Sequence, residues 1–315
     1  MTRTRINGTS VTFLNARTCG IYKNGGPRYK TDPSTGRRTT ELDDELNELV
    51  DRYVARKPHE GITVVPIAEA TRRRVLVPTY YDRRHDQLFE EFVEAIGWAE
   101  ITLGDLIDSG AVSVRGGHGS PGNDQRSGGI PYIKVSDIRA LRVNVNPTNL
   151  VDPSVAHRFW RGTSSGLKAF DLITPNRASS NIGEFAILLP GEEDVVVTKE
   201  VFILRVEERA GGLWDPFTLF WALCLRAVRE QWRRIALMQT NREDCGSRYR
   251  EIRLPLPPNR RSAEKASAEF REYFGTLATA KTKFITAMSG ESSKYIASVF
   301  GAATPADDDA EPDTP

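Results

Sequence analysis

The sequence has little cysteine, few histidines and no long apolar run. Cys19, Cys224 and Cys245 are odd in number and scattered, so no disulfide framework is expected and a reducing cytoplasm is the expected setting. The apolar runs fall well short of the roughly 18–20 residues of a membrane span, and charge flanks each one. Met-Thr-Arg-Thr-Arg at the start leads into no apolar signal region, so no membrane partner is expected. The four histidines, His59, His85, His118 and His157, show no metal-ligand spacing with one another or with the cysteines. None of the ten lysines has an acid two residues before it, which removes the Glu-x-Lys or Asp-x-Lys mark of a magnesium-dependent nuclease. Trp214-Asp215-Pro216-Phe217 lacks the second proline of the segment with which an amino-methyltransferase grips a flipped base. Glycines 116, 117, 119 and 122 do not sit between a strand and a helix, so no phosphate loop is formed. Ser164-Ser165-Gly166 lacks the strand-turn-helix setting of a nucleophile elbow. The expectation is a protein with no catalytic residue, no metal and no cofactor.

Net charge is also scarce, at +1, which by itself argues against a strongly basic nucleic-acid binder. The total hides segregation. Residues 225–261 hold ten arginines, no lysine and four acids, while Glu41 to Asp51 holds six acids and the tail from Asp307 five. Arginine outnumbers lysine 33 to 10. That bias suits bidentate contacts to phosphate or guanine, and a GC-rich genome would produce it equally well.

Along the chain, residues 1–60 read as an appendage: a strand at Val11 to Asn15, turns from Gly20 to Gly36, and an acidic-faced helix through Leu42, Leu46, Leu49 and Tyr53. Residues 61–97 read as a linker and a helix, the latter from Leu88, Phe89, Phe92 and Ile96. In the main body, 98–260, strands are expected at Ile130 to Ile138, Val143 to Val145, Phe185 to Leu189, Val195 to Val206 and Ile252 to Leu256. Arg115 to Gly129 is a long glycine-rich loop. Asp215-Pro216 starts a helix expected to run to about Gln239, with Arg226, Arg229 and Arg233 along one face. Residues 261–300 read as a last helix capped by Ser262. There Phe270, Leu277 and Phe284 repeat every seven residues, with Tyr273, Ala280 and Ala287 between them. That pattern fits a helix-pair interface, and equally a helix packed on its own domain. Residues 301–315 are acidic and expected to be disordered. The fold class is α+β: one domain with a small mixed or antiparallel sheet and flanking helices, a hairpin-helix appendage before it, and a dimerisation-type helix after it.

Four ordered segments resemble a target-recognition domain of the DNA specificity subunits of type I restriction-modification systems. They are Ile101-Thr102-Leu103-Gly104-Asp105-Leu106; Gly129-Ile130-Pro131-Tyr132-Ile133-Lys134-Val135-Ser136-Asp137-Ile138; Ala169-Phe170-Asp171-Leu172-Ile173 to Ile182-Gly183-Glu184-Phe185-Ala186-Ile187; and the 216–239 helix followed by Tyr249 to Pro258. Phe170 departs from the pattern, which has glycine there. The family carries two such domains separated by long helices, and this chain has one of each. At the N-terminus, Asn24-Gly25-Gly26-Pro27-Arg28-Tyr29-Lys30-Thr31-Asp32-Pro33-Ser34-Thr35-Gly36 and the following acidic residues are similar to the end of a type I N6-adenine methyltransferase catalytic domain.

The resemblance implies a non-catalytic half-subunit that reads double-stranded DNA for a partner N6-adenine methyltransferase, and it leaves open a nuclease in the same phage-defence complex. It also implies pairing with a second recognition chain or a second copy through the last helix. Base edges in the major groove would be read by Arg115, His118, Asn123, Gln125 and Arg126 in the glycine-rich loop, by Asn176, Arg177 and Asn181, and by Asn241 and Arg242. Phosphates would be held by Arg226, Arg229, Arg233, Arg248 and Arg250. Lys134 and Asp137 read as structural. Two alternatives stand: a nonspecific DNA-docking component of an anti-phage complex, and a protein-protein adaptor that has lost DNA binding.

Overall fold

The computed structural model describes residues 2–22, 24–208, 212–238 and 243–288, so the acidic tail and the end of the last expected helix lie outside the described residues. The chain divides into two compact units, Met1–Ala95 and Ile96–Pro315. The class is α+β, with small, mostly antiparallel sheets and several helices. Among the described residues no helix is long and apolar enough to cross a membrane.

In the first unit, β1 (Thr2–Asn7) and β2 (Ser10–Asn15) form a hairpin, and β3 (Tyr29–Thr31) and β4 (Arg38–Leu42) a second. Asp32 shapes the turn of the second, accepting from the Ser34 N–H at 2.8 Å. Helix α1 (Leu46–Val54) buries Leu49 against Leu14 and Ala16. The stretch after residue 60, expected as a linker, is part of this core. Its β-branched run Ile62-Thr63-Val64-Val65 forms β5 (Ile62–Pro66), the third strand of a sheet ordered β1-β2-β5. Helix α2 (Ile67–Arg73) adds Ala70 to Val11, Phe13 and Val65, and Tyr81 stacks on Phe13 at 4.4 Å. Helix α3 (Arg84–Ile96) follows.

The second unit starts with β6 (Ala99–Thr102) and α4 (Leu103–Asp108), where Thr102 and Asp105 form a reciprocal capping box. Then come β7 (Val112–Gly116), β8 (Ile130–Ile133), β9 (Ile138–Arg139), β10 (Arg142–Val143), β11 (Leu150–Val151) and α5 (Pro153–Trp160). Next are β12 (Leu172–Pro175), β13 (Ala186–Ile187), β14 (Val196–Val197), β15 (Val201–Val206), α6 (Pro216–Cys224) and α7 (Arg226–Ile235). The chain ends with β16 (Leu237–Met238), β17 (Glu243–Asp244), β18 (Arg253–Leu256), α8 (Arg260–Ala266) and α9 (Ala268–Met288). The main sheet is antiparallel, ordered β13-β12-β15-β7. A smaller one runs β11-β8-β14, with β14 parallel to β8, and β18 closes the unit by pairing with β6. Ile133, Ile138, Ile173, Leu188, Val197 and Ile203 are at the centre of the core between them.

Several expected elements are shorter than their apolar runs. The 130–138 strand breaks where the Asp137 carboxylate accepts from the Lys134 N–H at 2.8 Å, and the 195–206 strand breaks at the polar trio Thr198-Lys199-Glu200. The 216–239 helix divides at Leu225, whose backbone is extended (φ −58°, ψ 132°). The break lets α6 bury Leu219, Phe220 and Leu223 while α7 keeps an arginine face. Asn259, not Ser262, caps the first C-terminal helix, accepting from the Ser262 N–H at 2.9 Å. Helix α9 packs on its own unit through Phe274 and Ala278, with Phe270 and Phe274 against Phe220 at 5.2 and 5.1 Å. Two ion pairs, Arg271–Asp215 and Lys281–Glu192, both 2.5 Å, hold it there. The heptad stripe is therefore split: Phe270 faces inward, whereas Tyr273 (56% exposed) and Phe284 (55%) stay uncovered.

Phe170 has φ of +70°, the left-handed region that an L side chain occupies only under strain. This accounts for glycine being the pattern residue at that position. The ring meets Phe217 edge-on at 5.3 Å, a contact that offsets part of the backbone cost.

Candidate nucleic-acid interface

The register of the main sheet brings several loops to one end. Gly116 is opposite Phe202, and Pro175 is opposite Val201. The segments 117–120, 198–200 and 176–178 therefore leave the sheet side by side. The Cys245 N–H donates to the Asn176 carbonyl at 3.0 Å, which brings the base of the β16–β17 hairpin to the same end. Helix α7 flanks this cluster: Arg229 pairs with Glu184 at 2.7 Å, and Trp232 packs beneath Gly183.

The structure separates the expected base readers into those that hold the loops and those that stay exposed. His118 is a brace. Its Nδ1 accepts from the Val197 N–H at 3.0 Å, so its Nε2 carries the proton and donates to the Ser165 carbonyl at 2.9 Å. Neither nitrogen is left for a base edge. Asn181, 1% exposed, donates to the Val135 and Ile138 carbonyls at 2.7 and 3.2 Å and accepts from Ser179. Asn176 donates its side-chain amide to the Lys199 carbonyl at 3.1 Å. Gln125 closes its own turn on Gly122, and Arg126 lies over the Tyr132 ring while donating to the Pro121 carbonyl. Arg115, Asn123 and Arg177 remain exposed, Arg115 donating to the Ser165 carbonyl at 3.5 Å and Arg177 paired with Glu200 at 2.8 Å. Asn241 and Arg242 lie outside the described residues.

Among the expected phosphate contacts, Arg226 and Arg233 are exposed on α7, Arg233 being 3.5 Å from Glu230. Arg229 and Arg250 are tied to Glu184 and Asp108, and Arg248 is half-buried. The sequence reading missed Lys199, exposed at the tip of the 198–200 turn. The signal was present: three polar residues interrupt an otherwise apolar run. Lys134 and Asp137, read as structural, do shape the turn after β8.

The glycines of the 115–129 loop serve the chain itself. A Cβ on Gly117 would lie 2.0 Å from the Thr198 carbonyl oxygen, and one on Gly128 would lie 2.4 Å from the Val151–Asp152 backbone. Close backbone approach is what these positions need, and the backbone approached is the protein's own.

Burial drives the His118 pKa down to about 4, the Ser165 carbonyl opposing this weakly. The folded state therefore favours the neutral ring, and the unfolded chain takes up the proton first as pH falls. The resulting stability is complete above about pH 6.5 and is lost as pH drops toward 4. A His118→Gln variant should show a shallower loss of unfolding free energy between pH 6.5 and 4.5 than the wild type. Parallel curves in urea titrations across that window would refute the brace.

No protein-family model matches the chain, and no curated protein matches it. Among solved structures it is similar to S subunits of type I restriction-modification systems. The S subunit from M. genitalium is 12% identical, with 66% of this chain and 48% of that chain covered and a TM-score of 0.36. The HsdS subunit from Thermoanaerobacter tengcongensis is 14% identical, with 82% and 61% covered and a TM-score of 0.37. A chain from the type I R-M system solved for its complex assembly and conformational transition is 13% identical, with 79% and 61% covered and a TM-score of 0.36. This chain spans 48–61% of the length of those proteins.

Proposed function

We propose that the second unit is a DNA-recognition domain and that the chain is a non-catalytic specificity component of a methyltransferase complex in the cytoplasm. The observation that carries this reading is the convergence of four loop segments at one end of the main sheet, flanked by the arginine face of α7. Loops braced at a sheet end can enter a major groove, while Arg226, Arg233 and Arg248 meet phosphates at its sides. Arg115, Asn123 and Arg177 are the base readers under this proposal, and His118, Asn176 and Asn181 keep their loops in shape. Arg229 and Arg250 would contribute only by exchanging a carboxylate for a phosphate.

The partner is a separate N6-adenine methyltransferase, which would supply the base flipping and the chemistry; the first unit, whose hairpin and acidic helix resemble the end of such an enzyme, would dock to it. Tyr273, Leu277, Ala280, Phe284 and Ala287 on α9 fit a second copy, which would give a bipartite site read by two half-subunits.

Selection from a random duplex library at two salt concentrations, with and without the methyltransferase, tests this. Recovery of a short asymmetric half-site, or of two half-sites around a fixed gap, is expected, the second pattern reporting the paired form. With about six phosphate contacts, affinity should fall by about 10³ between 50 and 200 mM salt. Salt-sensitive binding with no enriched sequence would favour a nonspecific docking module. No binding in either condition would remove the DNA-reading role and leave a protein-protein adaptor.

A further inference from the structure

The sharpest feature of the loop cluster is a turn that the sequence reading passed over. Residues 197–201 are fastened on two sides. On one, the Gly117 N–H donates to the Val201 carbonyl at 2.9 Å, the His118 and Gly119 N–H groups to the Val197 carbonyl at 2.8 and 3.2 Å, and the Val197 N–H to His118 Nδ1 at 3.0 Å. Ser120 and Thr198 join their hydroxyls at 3.0 Å. On the other side, the Asn176 N–H donates to the Glu200 carbonyl at 3.0 Å and its side-chain amide to the Lys199 carbonyl at 3.1 Å. Below, the Thr198 N–H donates to the Ile133 carbonyl at 2.9 Å, and Thr198 is 3% exposed.

Eight hydrogen bonds thus fix a turn whose central side chain, Lys199, is exposed and has no hydrogen bond or ion pair among the described residues. Its neighbours Arg177 and Glu200 neutralise each other. Immobilising a backbone residue costs conformational entropy, and here that cost is met on folding rather than on binding. A compact ammonium on a fixed backbone is suited to a phosphate oxygen, which it meets as a point charge.

Resting on the DNA-binding reading above, we propose that the Thr198–Glu200 turn is a pre-formed contact for a phosphate of duplex DNA. Lys199 is its cation, and His118 and Asn176 are positioning residues that splint it.

The test uses the full chain and a labelled random-sequence duplex pool titrated across salt. Lys199→Ala should weaken binding about tenfold at low salt and lower the slope of log K against log salt by about 0.9, the release of one counterion. Asn176→Ala keeps the charge and loosens the turn, so affinity should fall about fivefold in the wild-type background and not at all once Lys199 is alanine. A purely structural role for Asn176 would persist in the double variant. The exposed Lys265→Ala on α8 controls for bulk charge and should leave the slope unchanged. If the wild type binds in a salt-sensitive way and Lys199→Ala retains both affinity and slope, this proposal is overturned while the DNA reading stands. If the wild type does not bind the pool, both fall together.

Discussion

Replacing Arg84 with methionine is expected to cost about 3–5 kcal/mol of unfolding free energy, the largest single loss in the first unit, because it strands a buried carboxylate. The Arg84 side chain is 3% exposed and Asp82 2%. Arg84 grips both Asp82 oxygens at 2.8 Å, Glu45 at 2.6 Å and the Asn15 carbonyl at 2.6 Å, tying the start of α3 to the end of β2 and the start of α1. Asn15 returns a bond to Asp82 at 2.6 Å. Burial pushes the Asp82 carboxyl up, but the bonds and charge of Arg84 outweigh it and hold the pKa below its ordinary value. Without the guanidinium the burial penalty remains, opposed among the described residues by Asn15 and the residue-84 backbone N–H, with no cation beside the carboxylate. Asp82 would then be relieved by taking a proton, so the deficit should narrow as pH falls toward about 4. Amide protection in residues 1–95, followed in urea at pH 7 and pH 4.5, measures both effects. A deficit under about 1 kcal/mol at pH 7 would mean that the network is incidental to the fold.

How much of this was legible follows from where each signal resides. Asp215-Pro216 announced the start of α6, and its carboxylate does accept from the Phe217 and Thr218 N–H groups at 2.9 and 3.1 Å. Val11 to Asn15 was legible as a strand, and Ile252 to Leu256 as the closing strand, since alternation and flanking turns are local. The Arg84 network was not, because its partners are 39 and 69 residues away and no spacing rule connects them. The break at Leu225 escaped because the apolar face expected for one helix continues across it while the backbone turns, and the one at Thr198-Lys199-Glu200 was read through because apolar residues resume at Val201.

The candidate interface was legible by region and illegible by role. The glycine-rich loop, the 176–181 segment and α7 do come together. Within them, His118, Asn176 and Asn181 looked identical to free polar readers, since a side chain bonded to a distant backbone carbonyl leaves no trace in sequence. Lys199 had the opposite problem: the trio Thr198-Lys199-Glu200 marked an interruption of the apolar run but no motif, and the fastening of the turn is what distinguishes the lysine.

The second large effect concerns that fastening. Gly117→Ala is expected to cost about 3 kcal/mol and, under the proposed DNA-recognition role, to abolish high-affinity duplex binding, although the substitution only adds a methyl group. The added Cβ would sit 2.0 Å from the Thr198 carbonyl oxygen and 2.9 Å from that of Val197, and both are backbone atoms that cannot rotate aside. Segment 117–120 and the 197–201 turn must then separate. That breaks the Gly117–Val201, His118–Val197 and Ser120–Thr198 bonds together, since all span the same gap. Gly117 is not among the glycines of positive φ, so the demand at this site is for space alone. Neighbouring Gly116, whose Cβ would meet open space, is the matched control, and Gly116→Ala should leave stability within about 0.5 kcal/mol. Hydrogen exchange should show protection lost at Val197 and Gly117 but kept at Ile173 and Leu204 in the Gly117 variant. If instead Gly117→Ala binds duplex with wild-type affinity and salt slope, the 198–200 turn is not part of the interface, whatever its rigidity.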